Sequence, residues 1–359
     1  MGFATLGIGM ASAAYATYRS LKGSVNILPT MTMQSAAPMQ KTVAKTTVPT
    51  TAQHVLTFTG HQQMVRSVAW SPTGTMLASG ADDSQLLLWK TNGTTMRSVM
   101  HPASVRALAW SPTGDRIVTG SNNQVLFLHV PTNTVLGRSI HRHTGAVSGF
   151  AWTSHNQQFQ VVSSGIDMKA FVWDTTHYRS HLLYMRHTVP IDAVTWAMDG
   201  QTVATSSHGG AVRVWNAANG QDIHNFYYVP NTPLRAASFA PNSNMLAIGG
   251  DDGLVRLWNG LTCQQVAATN AGQTCVDMPQ QLHVSQQAVR ALAWSPNGKY
   301  LATGSDDGVL TLWQPSHNQQ PLFRVTVQQG VPIYSVSWSP MRDQIATTTG
   351  NNVVLWKLM

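Results

Sequence analysis

The stretch "VRSVAWSPTGTMLASGADDSQLLLW" at 65–89 and the stretch "VRALAWSPNGKYLATGSDDGVLTLW" at 289–313 are one phrase written twice. Five weaker copies share its landmarks. The first apolar anchor falls at Trp70, Trp110, Trp152, Trp196, Phe239, Trp294 and Trp338, in steps of 40, 42, 44, 43, 55 and 44 residues. The second falls at Trp89, His129, Trp173, Trp215, Trp258, Trp313 and Trp356. A period of about 40 to 45 residues marks an array of supersecondary units, none of which buries its apolar face alone.

Within a copy, "VRSVAW" alternates as a strand with two differently dressed faces does. "SPTG" at 71–74 and 111–114, like "SPNG" at 295–298, suits a type I turn, with Pro second and Gly fourth. A second strand follows. The pairs Asp82-Asp83, Asp251-Asp252 and Asp306-Asp307 then supply a tight turn into a third strand such as "SQLLLW", and more variable residues form a fourth. The expected fold is all-β, a seven-bladed propeller of four-stranded antiparallel blades. The seventh copy reaches Met359 three residues after Trp356, short of a fourth strand, while "HVLTFTG" at 54–60 reads as a strand with no other partner. That N-terminal strand is expected to complete the last blade and hide two sheet edges. Residues 53–359 then form one closed, monomeric ring.

These copies resemble WD-repeat β-propellers, with the seven repeats of bacterial-type members, and the likeness runs from about residue 53 to the end. Gly60-His61 and Trp173-Asp174 stand as the family's paired landmarks, with weaker forms at Trp89-Lys90, Trp215-Asn216 and Trp258-Asn259. The resemblance implies a structural hydrogen-bond relay of Trp, Ser, His and Asp in each full blade. Here that assigns His61, Ser79, Asp83 and Trp89 in the first copy, and His143, Ser163, Asp167 and Trp173 in the third. The pattern weakens at His129, at Gly209 in the tight turn of copy four, and around Gly350-Asn351, which marks those blades as the less rigid ones.

His61, Ser79 and Asp83 also imitate a nucleophilic triad, but a triad needs an exposed nucleophile and an oxyanion hole, and no G-x-S-x-G elbow appears. All 14 acids are Asp, most of them committed to turns, so no catalytic residue is assigned and no enzyme activity is expected. The His-x-His pair at His141 and His143 and the group His177, His181 and His187 lack the Cys or carboxylate spacing of a zinc site, so neither metal nor cofactor is expected. The net charge of +8 draws half its excess from Arg19, Lys22, Lys41 and Lys45, with no basic run interleaved with aromatics, which argues against nucleic acid.

In a propeller, the loops before the first strand and in the second turn crowd one face. The residue after the first-strand Val or its counterpart is Arg66, Arg106, Ser148, Asp192, Arg235, Arg290 and Tyr334, and the residue before the turn Asp is Asp82, Asp251 or Asp306 in three copies. If both sets reach one mouth, Arg and Asp alternate around it with Tyr334, a surface suited to protein or peptide partners. Alternatively, they simply pair with one another at the rim. A non-enzymatic interaction scaffold is the first reading. A regulatory or sensory domain of a membrane-tethered signalling protein, and a propeller enzyme with its site at the channel mouth, are the other two.

Two segments stand outside the pattern. The long step holds Cys263 and Cys275 in an expected loop at 261–285, where pairing in an oxidising compartment would contribute about 3 kcal/mol. Residues 1–18 carry no charged side chain and precede a flexible linker at 19–52 rich in Thr, Pro, Met and Gln. The apolar segment reads as a signal, a membrane anchor or a start cut into a longer span, favouring membrane association or export over a cytoplasmic location.

Overall fold

In the computed structural model, the described residues are 48–139, 142–155, 158–227, 230–259, 266–269, 272–275, 279–317 and 319–359. The expected signal or anchor at 1–18, most of the linker at 19–52, and Cys263 lie outside them. None of the described residues forms a helix, and so none forms a helix long and apolar enough to cross a membrane.

Seven antiparallel blades follow in chain order. Blade 1 takes Val65–Trp70, Met76–Ala81, Gln85–Lys90 and Thr95–Met100. The first strands of blades 2 to 7 are Val105–Trp110, Val147–His155, Ile191–Trp196, Leu234–Phe239, Val289–Trp294 and Val336–Trp338. Blade 7 gains its fourth strand from the other end of the chain, because Ala52–Thr59 pairs antiparallel with Asn352–Leu358, from Ala52 opposite Leu358 to Thr59 opposite Asn352. That strand starts two residues before the expected 54–60 and ends one residue short of it, and the preceding Thr50 and Thr51 donate their amides to the Met359 carbonyl at 2.8 and 3.3 Å.

The apolar core is divided into clusters lying between neighbouring blades. Leu77, Leu87 and Trp89 of blade 1 pack with Ala346, Val353 and Leu355 of blade 7 and with Phe58 from the closing strand. The same arrangement recurs around the ring, as in the cluster of Val172 and Tyr184 with Val203 and Trp215 between blades 3 and 4. First-strand indoles stitch blades together: Trp110 Nε1 donates to Ala69 O at 3.1 Å, Trp152 Nε1 to Ala109 O at 3.2 Å and Trp294 Nε1 to Ser238 O at 3.1 Å. At the closing seam side chains take over, as Val68 N and Trp70 N each donate to a blade 7 hydroxyl, Ser335 and Ser337, at 3.1 Å.

Two sequence expectations need correction. The first strands do not alternate strictly, because the ladder slips between Val65 and Ser67 and at the matching point of blades 2 to 6. Val65, Val68 and Trp70 are all buried, and an interval of three followed by two between inward apolar residues requires a β-bulge. The insertion before blade 6 is not simply a loop either. Val266–Thr269 and Gly272–Cys275 form a hairpin that joins blade 4, with Phe226 opposite Cys275 in a parallel pair, so this blade has six strands. The hairpin pairs along the fourth strand of blade 4, which covers an edge otherwise open to another chain.

Glycine is required in the tight turn of blade 6. Gly308 has φ +78°, and a Cβ there would lie 1.8 Å from the Gln328 carbonyl oxygen.

If the closing strand is an integral part of the core, truncating its one fully buried ring will destabilise the whole ring. Phe58 is 1% exposed and meets Trp89 edge-on at 5.5 Å. Phe58→Ala is expected to lower unfolding free energy in urea by about 3–5 kcal/mol, whereas Gln53→Ala, on the exposed side of the same strand, should change it by less than about 0.5 kcal/mol.

Candidate functional site

Two places could hold chemistry, the buried His clusters and the channel mouth. In blade 1, Trp89 Nε1 donates to Ser79 Oγ at 2.8 Å, Ser79 Oγ lies 2.8 Å from His61 Nε2, and His61 Nδ1 lies 2.9 Å from Asp83 Oδ2. The Asp83 carboxylate accepts from Nδ1, which places the ring proton there, and Nε2 of the neutral ring then accepts the Ser79 hydroxyl hydrogen. Asp83 also accepts the amides of Gln62 at 2.8 Å and Gln85 at 3.0 Å, which fixes both turns. Blade 3 repeats the chain with Trp173, Ser163, His143 and Asp167 at 2.9, 2.8 and 3.0 Å. Ser79 and Ser163 are fully buried, and each accepts a hydrogen bond from an indole, so neither can meet a substrate. These constellations tie the strands and turns of each blade together.

Partial relays occupy other blades. Thr119 and Thr205 replace Ser opposite His101 and His187, each at 2.8 Å. Blade 6 has Ser285 in place of His, and its hydroxyl reaches Asp307 directly at 2.6 Å. Among the described residues no group of three or more His, Cys, Asp or Glu could hold a metal ion.

At the mouth, a channel of about 220 Å³ is lined by the first strands of all seven blades. Arg66, Arg106, Ser148, Asp192, Arg235 and Arg290 are the extra residues of the six β-bulges, so the bulge itself turns each of them out of the ladder. Tyr334 reaches the same ring without a bulge, since Thr348 Oγ1 accepts the amides of Tyr334 and Ser335 at 3.0 and 3.1 Å.

Sixteen residues separate each mouth Arg from its turn Asp, and three pairs are closed. Arg235 forks onto Asp251 at 2.8 and 2.7 Å, Arg290 onto Asp306 at the same two distances, and Arg66 Nε donates to Asp82 at 2.7 Å. Such forks fix the guanidinium plane. Arg66 and Arg290 lie on Tyr334, 4.5 and 5.9 Å from its ring centroid, so the aromatic ring sits between two cations. Arg106 differs. It is 57% exposed and only 4.0 Å from Asp82, which Arg66 and Ser104 already engage.

Burial pushes the Asp82 carboxyl up, but its bonds to Arg66 and Ser104 outweigh this and hold it below the usual carboxylate range. Asp192 has the opposite balance. Burial raises it despite Arg235 at 3.5 Å and His208 at 3.4 Å. His208 holds the place of Asp82 in copy four and Thr348 that of Gly80 in copy seven, so only Ser104, one residue before copy two, lies outside the repeated phrase. The signal available was the three-then-two apolar spacing, which announces the bulge. Cys263, the other half of the expected pair with Cys275, lies outside the described residues, and Ile166, which fills the place of the turn Asp's neighbour in blade 3, is half exposed.

The buried His residues make stability depend on pH. Burial, with Arg213 adding repulsion, pushes the His187 ring from 6.5 down to about 3. Burial also lowers His61, only partly offset by Asp83. The unfolded chain takes up these protons below about pH 6.5 while the fold does not, so stability is complete above that value and declines toward pH 3. Each such ring costs up to about 1.4 kcal/mol per pH unit in that window. The urea midpoint is expected to fall between pH 7.5 and 5, and His187→Gln, which retains a partner for Thr205, should flatten that slope.

Comparison with known proteins agrees with the geometry. Residues 52–90, 93–128, 135–174 and 180–216 match the family described as WD domain, G-beta repeat, and residues 227–359 match the Nucleolar protein 10-like, N-terminal domain. Among curated relatives, a chromatin assembly factor 1 component of Gallus gallus is 25% identical over 171 residues, 48% of this chain and 26% of that protein. Ribosome biogenesis protein erb1 of Aspergillus niger is 38% identical over 69 residues, 19% of this chain and 9% of that one. Protein HIRA of Dictyostelium discoideum is 35% identical over 81 residues, 20% of this chain and 7% of that one. The chain thus spans about a quarter or less of these relatives' own length. With seven blades closed by a terminal strand, four WD-domain matches within residues 52–216 and a propeller-domain match over 227–359, the chain belongs to the WD-repeat β-propellers.

Proposed function

We propose that the ring is a non-enzymatic scaffold that binds peptide segments of protein partners at the channel mouth. The observation that carries this reading is the arrangement of Arg66, Tyr334 and Arg290, an aromatic ring between two guanidinium groups that are each fixed by an aspartate. Preorganised groups lose little side-chain entropy on binding, which favours a rigid mouth over a mobile loop as a contact surface. Most of the charge there is already neutralised in pairs, so the mouth suits a segment of mixed polarity. Arg106, the least engaged guanidinium, supplies the position for an acidic residue. The names of the relatives, an assembly factor component and a ribosome biogenesis protein, fit a scaffold that assembles other proteins.

The test is quantitative affinity capture with the full chain and with Arg66→Ala/Arg235→Ala/Arg290→Ala, each verified as folded by circular dichroism. Partners held at the mouth should be retained at least tenfold less by the triple variant and by Tyr334→Ala, about 1.4 kcal/mol or more of binding free energy. Their retention should also weaken as salt is raised. Partners captured equally by all three proteins would place binding elsewhere and overturn the reading.

A further inference from the structure

The face opposite the mouth carries a second cleft, between blades 6 and 7, of about 240 Å³. Its walls are Pro296, Tyr300, Trp338 and Pro340, and at one side Pro49. Tyr334, at the mouth, stands two residues before the first strand of blade 7 and Trp338 ends that strand, so four residues of chain, roughly 13 Å if extended, separate the cleft from the mouth. The rings of Tyr300 and Trp338 are parallel within 8°, with centroids 6.3 Å apart.

Two polar groups here are left without partners. Four turns in the chain begin Ser-Pro, and in three the Ser hydroxyl bonds a side chain two residues on: Ser71 to Thr73 at 3.1 Å, Ser111 to Thr113 at 3.0 Å and Ser295 to Asn297 at 2.7 Å. In the fourth, Met341 stands at that place, and the Ser339 hydroxyl is fully buried with no partner. The indole of Trp338 also lacks the bond to the preceding blade that Trp110, Trp152 and Trp294 make. The indoles of Trp70 and Trp196 are unbonded too, but they are sealed from solvent, whereas Trp338 Nε1 is not. The cleft therefore combines flat aromatic walls with a free N–H donor.

The chain itself shows what such a surface accepts. Pro49 is buried against the cleft, and the extended residues after it are tied to Met359. Proline segments suit aromatic-lined grooves because the extended helix they form is already ordered and its carbonyls, having no internal bonds, seek outside donors.

We propose that this cleft binds an extended, proline-containing segment of a protein partner, stacking a prolyl ring on Tyr300 and Trp338 and donating a hydrogen bond from Trp338 Nε1 to a peptide carbonyl of the segment. Pro49 forms one wall of the site, and the partner occupies the open remainder beside it. This is a different surface from the mouth, with a different ligand chemistry.

The experiment uses the full chain with nitrogen-15-labelled tryptophan and a synthetic decaproline peptide as probe. The chain has 12 Trp, and the indole resonance missing from Trp338→Phe identifies the one that matters. Decaproline is expected to shift that resonance, a glycine-serine peptide of equal length is not, and Trp338→Phe should weaken peptide binding about tenfold through loss of the N–H donor, as measured by fluorescence polarisation of labelled decaproline. Tyr300→Leu, at a partly exposed position, gives a second assignment by moving the same resonance, and it should weaken binding by at least as much. The proposal is overturned if decaproline shifts no indole resonance, if it shifts others but not that of Trp338, or if binding survives both substitutions unchanged.

Discussion

The pairing of Ala52–Thr59 with Asn352–Leu358 is the contact on which the rest of this structure depends. A propeller blade buries its faces only against its neighbours, so a ring with an open seam has two half-exposed blades and two free strand edges. Here the seam is filled by the farthest-separated parts of the ring. Phe58 enters the core between blades 7 and 1, and the Ser335 and Ser337 hydroxyls bond the first strand of blade 1. With that junction closed, seven first strands face one channel, and their bulged residues meet at one mouth. The mouth is thus a consequence of closure, with no loop of its own to define it.

A second constraint acts within each blade. Burying Trp, Ser, His and Asp together is tolerable only where every donor meets an acceptor, and blades 1 and 3 satisfy this in full. The other blades show how the repeat drifts. Ser285 is short enough to touch Asp307 once His is lost from that place, and Thr205 still serves both His187 and Trp215. His129 has turned outward and bonds Thr132, leaving the His101–Thr119 pair of its blade without an indole. The Ser nucleophile that the sequence pattern imitates is, in both full blades, consumed by the fold.

The architecture was legible because the repeated phrase is long and its period is unambiguous, and even the origin of the closing strand follows from counting strands. The mouth residues were also legible as positions, since Arg66, Arg235 and Arg290 occupy one place in the phrase. Their geometry was not. The alternation of "VRSVAW" hides the bulge that turns those side chains outward, although the burial of both Val65 and Val68 encodes it. The hairpin that extends blade 4 reads as a loop because its two four-residue strands are too short to carry an alternation of their own. The cleft beside Trp338 is invisible in the sequence for a different reason. The Ser339 hydroxyl beside it has no partner where Met341 replaces a polar residue, and that missing bond becomes apparent only when the four Ser-Pro turns are compared in space.

Native-state hydrogen exchange tests the central claim, that closure makes the ring one cooperative unit. Amides of Asn352–Leu358 and of the facing residues 53–59 are expected to exchange with the same free energy as those of Val203 to Ser206 in the middle of blade 4, within about 1 kcal/mol. Exchange at the seam through a local opening several kcal/mol below the global value would show that the ring stands without its closing strand, and would contradict the account.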